Sequence, residues 1–160
     1  MAKARFEEAL VAIKQAQTID PGSLTLNTVL GLPFYYERQY EQAIAQFSAT
    51  LEMDPGFTQA RYYLGSALTQ LGLFDAAAAE FEKVAPHEYE QQASALLAYT
   101  YAMSGQKGKA TKLLEDLQRS SKGRYVSPYL EAIIYTGLGQ KEQALAQLER
   151  AYQERAAWMV

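Results

Sequence analysis

Small and large apolar positions along this chain recur in register. Ala9, Ala43, Ala77, Ala110 and Ala144 stand 34, 34, 33 and 34 residues apart. A second small column, Gly31, Gly65, Ala98 and Ala132, keeps the same step, with the one-residue deletion at the same place. Phe6, Tyr40 and Phe74 keep pace with it, as do the large residues Ile13, Phe47, Phe81, Leu114 and Leu148. A period near 34 residues marks stacked helical hairpins rather than one closed core.

Two helices are predicted within each period. Leu24–Tyr36, Thr58–Leu71, Gln91–Ser104 and Tyr125–Leu138 form a first set, with apolar residues at helical spacing, as in Leu30 and Phe34. Gly72, Gly105 and Gly139 follow three of them, where a left-handed residue closes a helix without steric cost. Second helices are expected from Tyr40, Asp75, Lys107 and Lys141, each for about 13 to 15 residues. Asp20-Pro21, Asp54-Pro55 and Ala85-Pro86 are expected to end helices, because the residue before a proline is pushed out of the helical region. The small columns let helix backbones cross closely. Ala43 is expected against the Gly31 region of its own hairpin, with the Phe47 column filling the gap to the next hairpin. Pro33 lies inside a first helix and is expected to kink it near Val29.

These positions resemble the tetratricopeptide repeat. Leu30, Gly31, Phe34, Ala43, Phe47 and Pro55 match its pattern, and Leu64, Gly65, Leu68, Ala77 and Phe81 repeat it. Leu97, Ala98, Tyr101, Ala110 and Leu114 form a looser copy; Ala132, Tyr135, Ala144 and Leu148 form the weakest, with Glu131 in the leucine place. The opening aromatic of the pattern is replaced throughout, by Asn27, Arg61, Ser94 and Pro128. The resemblance implies an all-α fold, a right-handed superhelical solenoid of antiparallel helix pairs. Residues 1–160 are then expected to form one domain: 1–23 is the second helix of a truncated repeat, followed by full repeats 24–57, 58–90, 91–124 and 125–158. The chain is expected to be a piece of a longer protein. Its last segment, Arg124 to Arg155, is similar to the final repeat in C-terminal regions of bacterial multidomain signalling proteins.

Composition narrows the function. At 49% apolar and 21% charged, the chain is too apolar for a disordered protein, and its net charge of −3 draws it to neither nucleic acid nor anionic lipid. The basic run from Lys107 to Arg124 is broken by Glu115 and Asp116 and reads as a solvated helix face. No stretch reaches the roughly 18 apolar residues of a membrane span, and the N-terminus has no apolar signal core. With no cysteine, a reducing, cytoplasmic setting is expected.

Catalysis finds no foothold. One histidine, His87, lies in a turn beside Glu88, with Glu90 nearby; three residues on one short loop make a weak metal pattern. The paired carboxylates Glu7/Glu8, Glu80/Glu82 and Glu115/Asp116 read as solvated helix faces. No enzyme, cofactor or metal is expected.

Binding is the better reading. The four first-helix segments carry only two charges, Arg61 and Glu131. In the resembled family one face of each such helix lines a concave groove. Here that face is Thr28, Leu32, Tyr35 and Tyr36; Gln59, Tyr62, Ser66 and Thr69; Gln92, Tyr99 and Met103; and Tyr129 and Ile133. Such a groove is neutral and rich in tyrosine, a residue that offers large contact area at low entropic cost. Tyr35, Tyr62, Tyr99 and Tyr129 can serve either groove or packing, whereas Tyr101 and Tyr135 fall in the packing column. The expected function is a protein-interaction scaffold for an apolar or neutral peptide or helix. The alternative is a self-association module, a homodimer through exposed ends at Phe6, Leu10 and Ile13, or at Leu148, Trp158 and Met159.

Overall fold

A computed structural model describes residues 2–84, 89–120 and 123–154, with side chains from Glu7 onward. Every regular element among the described residues is helical: α1 (Ala2–Ile19), α2 (Leu24–Val29), α3 (Leu32–Tyr36), α4 (Tyr40–Met53), α5 (Thr58–Gln70), α6 (Phe74–Phe81), α7 (Glu90–Met103), α8 (Lys107–Ser120), α9 (Pro128–Leu138) and α10 (Lys141–Gln153). They gather into two units, residues 1–73 and 74–160. In the first unit α4 packs on α2, α3 and α5, and α1 packs on α2 and α3. In the second, α7 contacts α6, α8 and α9, and α10 closes a hairpin with α9.

The turns within the hairpins share one geometry. Gly72, Gly105 and Gly139 have φ of 74°, 84° and 76°. The residue after each donates its N–H to the carbonyl five positions back: Leu73 to Leu68 O, Gln106 to Tyr101 O and Gln140 to Tyr135 O. Carbonyls left over at the helix ends are thereby satisfied. The fourth turn uses Arg38, at φ 62°, with Gln39 N–H reaching Phe34 O at 2.8 Å. A side-chain-bearing residue thus occupies a position where glycine fits without strain.

Pro33 has a larger effect than a kink. The first helix of this repeat is cut in two, with Leu30 and Gly31 between the halves. Gly31 N–H turns to Thr28 O at 2.9 Å, a tighter three-residue closure, and Pro33 becomes an early residue of α3, where its missing N–H costs no helical bond. Breaking the helix avoids a cost of roughly 3 kcal/mol for an interior proline. The break also brings Gly31 beneath the fully buried ring of Phe47; a Cβ added there would stand 2.8 Å from Cδ1 and 2.9 Å from Cζ. On its other side Phe47 stacks on Tyr63 of α5, ring centroids 5.7 Å apart. The large column therefore fills its own hairpin and the gap to the next helix at once. Full burial of such a ring contributes about 2–3 kcal/mol.

Several expected boundaries move. The last first helix starts at Pro128 rather than Tyr125, because Ser127 is held extended (ψ 128°) before the proline. Helix α6 stops at Phe81, well short of the expected length, since Lys83 and Val84 close back onto Glu80 O and Phe81 O in three-residue turns. Ala85 and Pro86, named above as its stop, lie outside the described residues. Helix α5 ends one residue early, at Gln70, and α7 starts one early, at Glu90.

Polar residues in the place of the opening aromatic have a use in the first unit. The buried Asn27 amide donates to Pro21 O at 3.0 Å and Ser23 O at 2.8 Å, while its Oδ1 accepts from Gln17 at 2.6 Å. Arg61, one period later, donates to Pro55 O. Each ties its helix to the proline turn that precedes it.

Candidate functional site

The faces of α2, α3 and α5 in the first unit, and of α7 and α9 in the second, carry the groove residues anticipated above. Thr28, Ser66 and Thr69 are buried, and each hydroxyl donates one turn back in its own helix: to Leu24 O at 2.9 Å, Tyr62 O at 2.8 Å and Gly65 O at 2.8 Å. Their sole hydroxyl protons are committed to the backbone, so they shape the wall rather than donate to a ligand. Leu32, Tyr35, Gln59, Tyr62, Gln92, Tyr99, Tyr129 and Ile133 are half-buried, and Tyr36 and Met103 are exposed, at 72% and 47%.

The tyrosines divide by what their rings touch. In the first unit Tyr35 meets Tyr36 and Tyr40 edge-on, at 5.5 and 5.8 Å between centroids, and Tyr62 meets Tyr63 at 5.2 Å. Edge-to-face pairs hold these rings in place while leaving part of each accessible. In the second unit Tyr99 leans on the backbone of Gly137, where an added Cβ would stand 3.0 Å from Tyr99 Cδ2. Tyr129, Ile133 and Tyr135 pack against the unit's apolar core. Tyr101 is buried, and its hydroxyl donates to the carboxylate of Glu82, just beyond the end of α6. Burial and that bond push the Tyr101 phenol up to about 12. The break at Leu30–Gly31 also leaves an open apolar cavity of about 320 Å³, bounded by Ala9 and Ile13 of α1 and by Val29, Leu32 and Tyr36.

All three charged residues of these helices are engaged. Arg61 reaches back to Pro55 O, and Glu90 pairs with Arg124 at 3.2 Å. Glu131 is 6% exposed and accepts from Gln118 of α8 at 2.8 Å; the same Gln118 nitrogen lies 3.2 Å from the Tyr135 hydroxyl. By sequence, Glu131 stands in the leucine place of the weakest repeat. Its polar partner sits on a different helix thirteen residues away, and only the fold brings the two together.

The other chemical candidates disperse. Lys107, Lys109 and Lys112 are exposed, with Lys109 Nζ 4.6 Å over the Tyr101 ring, and Arg119 pairs with Asp116 at 3.1 Å. Glu80 pairs with Lys83 at 3.0 Å. His87 and Glu88 lie outside the described residues, as do Trp158 and Met159 and the side chain of Phe6. No group of three metal-ligating side chains occurs among the described residues, and no described helix is long and apolar enough to cross a membrane.

Hairpins on this period, closed by left-handed turns and packed small against large, define a helical repeat protein. Residues 28–95 match the tetratricopeptide repeat family. No curated protein matches the chain. Among solved structures it is similar to a tetratricopeptide repeat protein from Parabacteroides merdae (18% identity, 95% of this chain and 60% of that chain, TM-score 0.73). It is also similar to MamA from Desulfovibrio magneticus RS-1 (18% identity, 94% and 86%, TM-score 0.64). A third is YrrB, described as a TPR protein with an unusual peptide-binding site (20% identity, 94% and 78%, TM-score 0.62). The chain has the tetratricopeptide repeat fold, and residues 28–95 carry the family's sequence signature.

Proposed function

We propose that this chain is a protein-interaction module, with no catalytic role, that takes an apolar or neutral peptide or helix of a partner on the tyrosine-bearing faces of its first helices. The observation that carries this reading is electrostatic. Arg61, Glu90 and Glu131 are all tied to groups of the chain itself, so what these faces offer a partner is rings, amides and methionine. Tyr36 and Tyr62 in the first unit and Met103 in the second are the leading contacts; Leu32, Tyr35, Gln59, Gln92, Tyr99, Tyr129 and Ile133 complete the faces. The peptide-binding site in the name of YrrB belongs to a protein of the same fold, and supports the class of partner without naming one.

Affinity on such a surface comes from apolar burial, about 25 cal/mol per Å² before ordering costs. Peptides selected from a displayed random library against the full chain provide the test. Their binding should change little between low and high salt, since screening acts on exposed charges. Tyr36→Ala and Tyr62→Ala should each weaken it by at least about 1 kcal/mol with helix content intact. Selected peptides that depend steeply on salt, or that bind both variants as tightly as the parent, would remove this reading.

A further inference from the structure

The place of the opening aromatic in the repeat pattern is filled in two hairpins and empty in another. In the first unit it holds the buried Asn27; Gln46 of α4 donates to Asn27 O at 3.2 Å, and Thr50, one turn further along α4, is fully buried. In the last hairpin the same place holds the fully buried ring of Pro128. In the α7–α8 hairpin it holds Ser94, too small to fill the space of a ring, and no neighbouring side chain closes the gap. A cavity of about 120 Å³ remains, between Gln91 and Ser94 of α7 and Leu113 and Leu117 of α8. This hairpin is internal to the repeat series, with α6 and α9 both packed on α7, so the cavity does not arise from an end of the chain.

The chemistry of the cavity is that of a ring site with one polar anchor. Leu113 and Leu117 supply an apolar wall. The charges that line it are paired, Glu90 with Arg124 at 3.2 Å and Asp116 with Arg119 at 3.1 Å. Gln91 donates to Tyr125 O at 3.2 Å and the Ser120 hydroxyl to Leu117 O at 2.7 Å. The half-buried Ser94 hydroxyl makes no hydrogen bond among the described residues and is left for an occupant. An apolar cavity of about 150 Å³ takes a benzene molecule, so this one, open toward solvent, has room for a single ring and little more.

We propose that this cavity binds a free, neutral, single-ring aromatic molecule of phenol size, whose ring takes the space of the missing aromatic and whose hydroxyl or amine bonds Ser94. None of its residues belongs to the first-helix faces assigned above to a partner peptide.

The probe is p-cresol, the free tyrosine side chain, titrated against the full chain and followed by nuclear magnetic resonance. It should saturate with a dissociation constant of about 1 mM, ordinary for so small a ligand, and show Overhauser contacts from its ring to the Leu113 and Leu117 methyls. Ser94→Ala removes the hydroxyl with little change in packing; it should weaken p-cresol about threefold and leave toluene unaffected. Ser94→Tyr supplies the ring covalently, and should weaken p-cresol at least about tenfold while raising the midpoint of chemical denaturation. Benzoate and benzamidine should bind at least about tenfold more weakly than p-cresol, because no unpaired charge lines the cavity to offset their desolvation. Failure to saturate by about 20 mM p-cresol overturns the proposal. So do ring contacts that miss Leu113 and Leu117, or a folded Ser94→Tyr chain that binds p-cresol as the parent does. Should Ser94→Tyr not fold, the Ser94→Ala comparison and the ring contacts decide alone. A blocked Gly-Tyr-Gly peptide that binds as tightly as p-cresol would assign the cavity to a side chain of a partner protein, and overturns the proposal equally.

Discussion

Phe47 in the first unit and Leu114 in the second hold the same place in the repeat, yet they are buried by different means. Phe47 lies on a glycine, Gly31, and stacks on Tyr63. Leu114 sits in an aliphatic cluster with Leu117, Leu130 and Ile134, in a hairpin whose small residue is Ala98. Beside that cluster Gln118 bridges Glu131 and Tyr135. The sizes compensate: phenylalanine is matched with glycine at 47 and 31, and leucine with alanine at 114 and 98. What the repeat conserves between its units is the combined volume at the helix crossing, because close packing leaves no room for both members to grow.

That comparison can be broken most forcefully at the large residue. Phe47→Ala should cost about 4 kcal/mol and Leu114→Ala about 3 kcal/mol, measured by chemical denaturation, the first being larger because more buried surface is removed. Equal or negligible losses would mean that the column is not where the units gain their stability.

The small residue sharpens the comparison. Gly31→Ala should cost about 2 kcal/mol, because its Cβ would run into the Phe47 ring, whereas Gly31 itself has an ordinary negative φ of −78°. Gly31→Ala combined with Phe47→Leu reproduces the solution of the second unit and should be more stable than the sum of the two single changes by about 1 kcal/mol. Additive losses would refute volume compensation.

The Arg38 turn differs from the three glycine turns in a way that predicts opposite signs. Arg38→Gly should stabilise the chain by about 0.5–1 kcal/mol, since Arg38 is exposed and held at positive φ. Gly105→Ala, with no atom within 4 Å of the new Cβ, should cost about 1 kcal/mol through backbone strain alone.

The smallest effect is confined to alkaline pH. The folded chain favours the neutral Tyr101 phenol, whose value is raised from 10.0 to about 12. This contribution to stability is complete below pH 10 and is lost as pH rises toward about 12. In an ultraviolet titration of the folded chain, Tyr101→Phe should therefore remove a late tyrosinate and leave the earlier ones unchanged. Loss of an early-titrating group would show that Glu82 does not hold this hydroxyl.

Periodicity in the sequence was sufficient for the existence of the helix pairs, the left-handed glycines that close them and the interruption at Pro33. All three follow from local chemistry: apolar spacing, a glycine free of Cβ strain and a ring that lacks an N–H. Which face each residue would take was less legible. Thr28, Ser66 and Thr69 have the polarity of groove residues, but their helices turn them inward, where each hydroxyl bonds its own backbone. Tyr99 has the character of a contact residue and rests on Gly137, far along the chain. Asn27 and Glu131 stand where the repeat pattern has an aromatic and a leucine, and both are buried with polar partners that the sequence places ten and thirteen residues away. A local pattern determines where helices begin, end and break. The neighbours that satisfy the Asn27 oxygen and the Glu131 carboxylate come from other helices, so their identity was settled only when those helices packed.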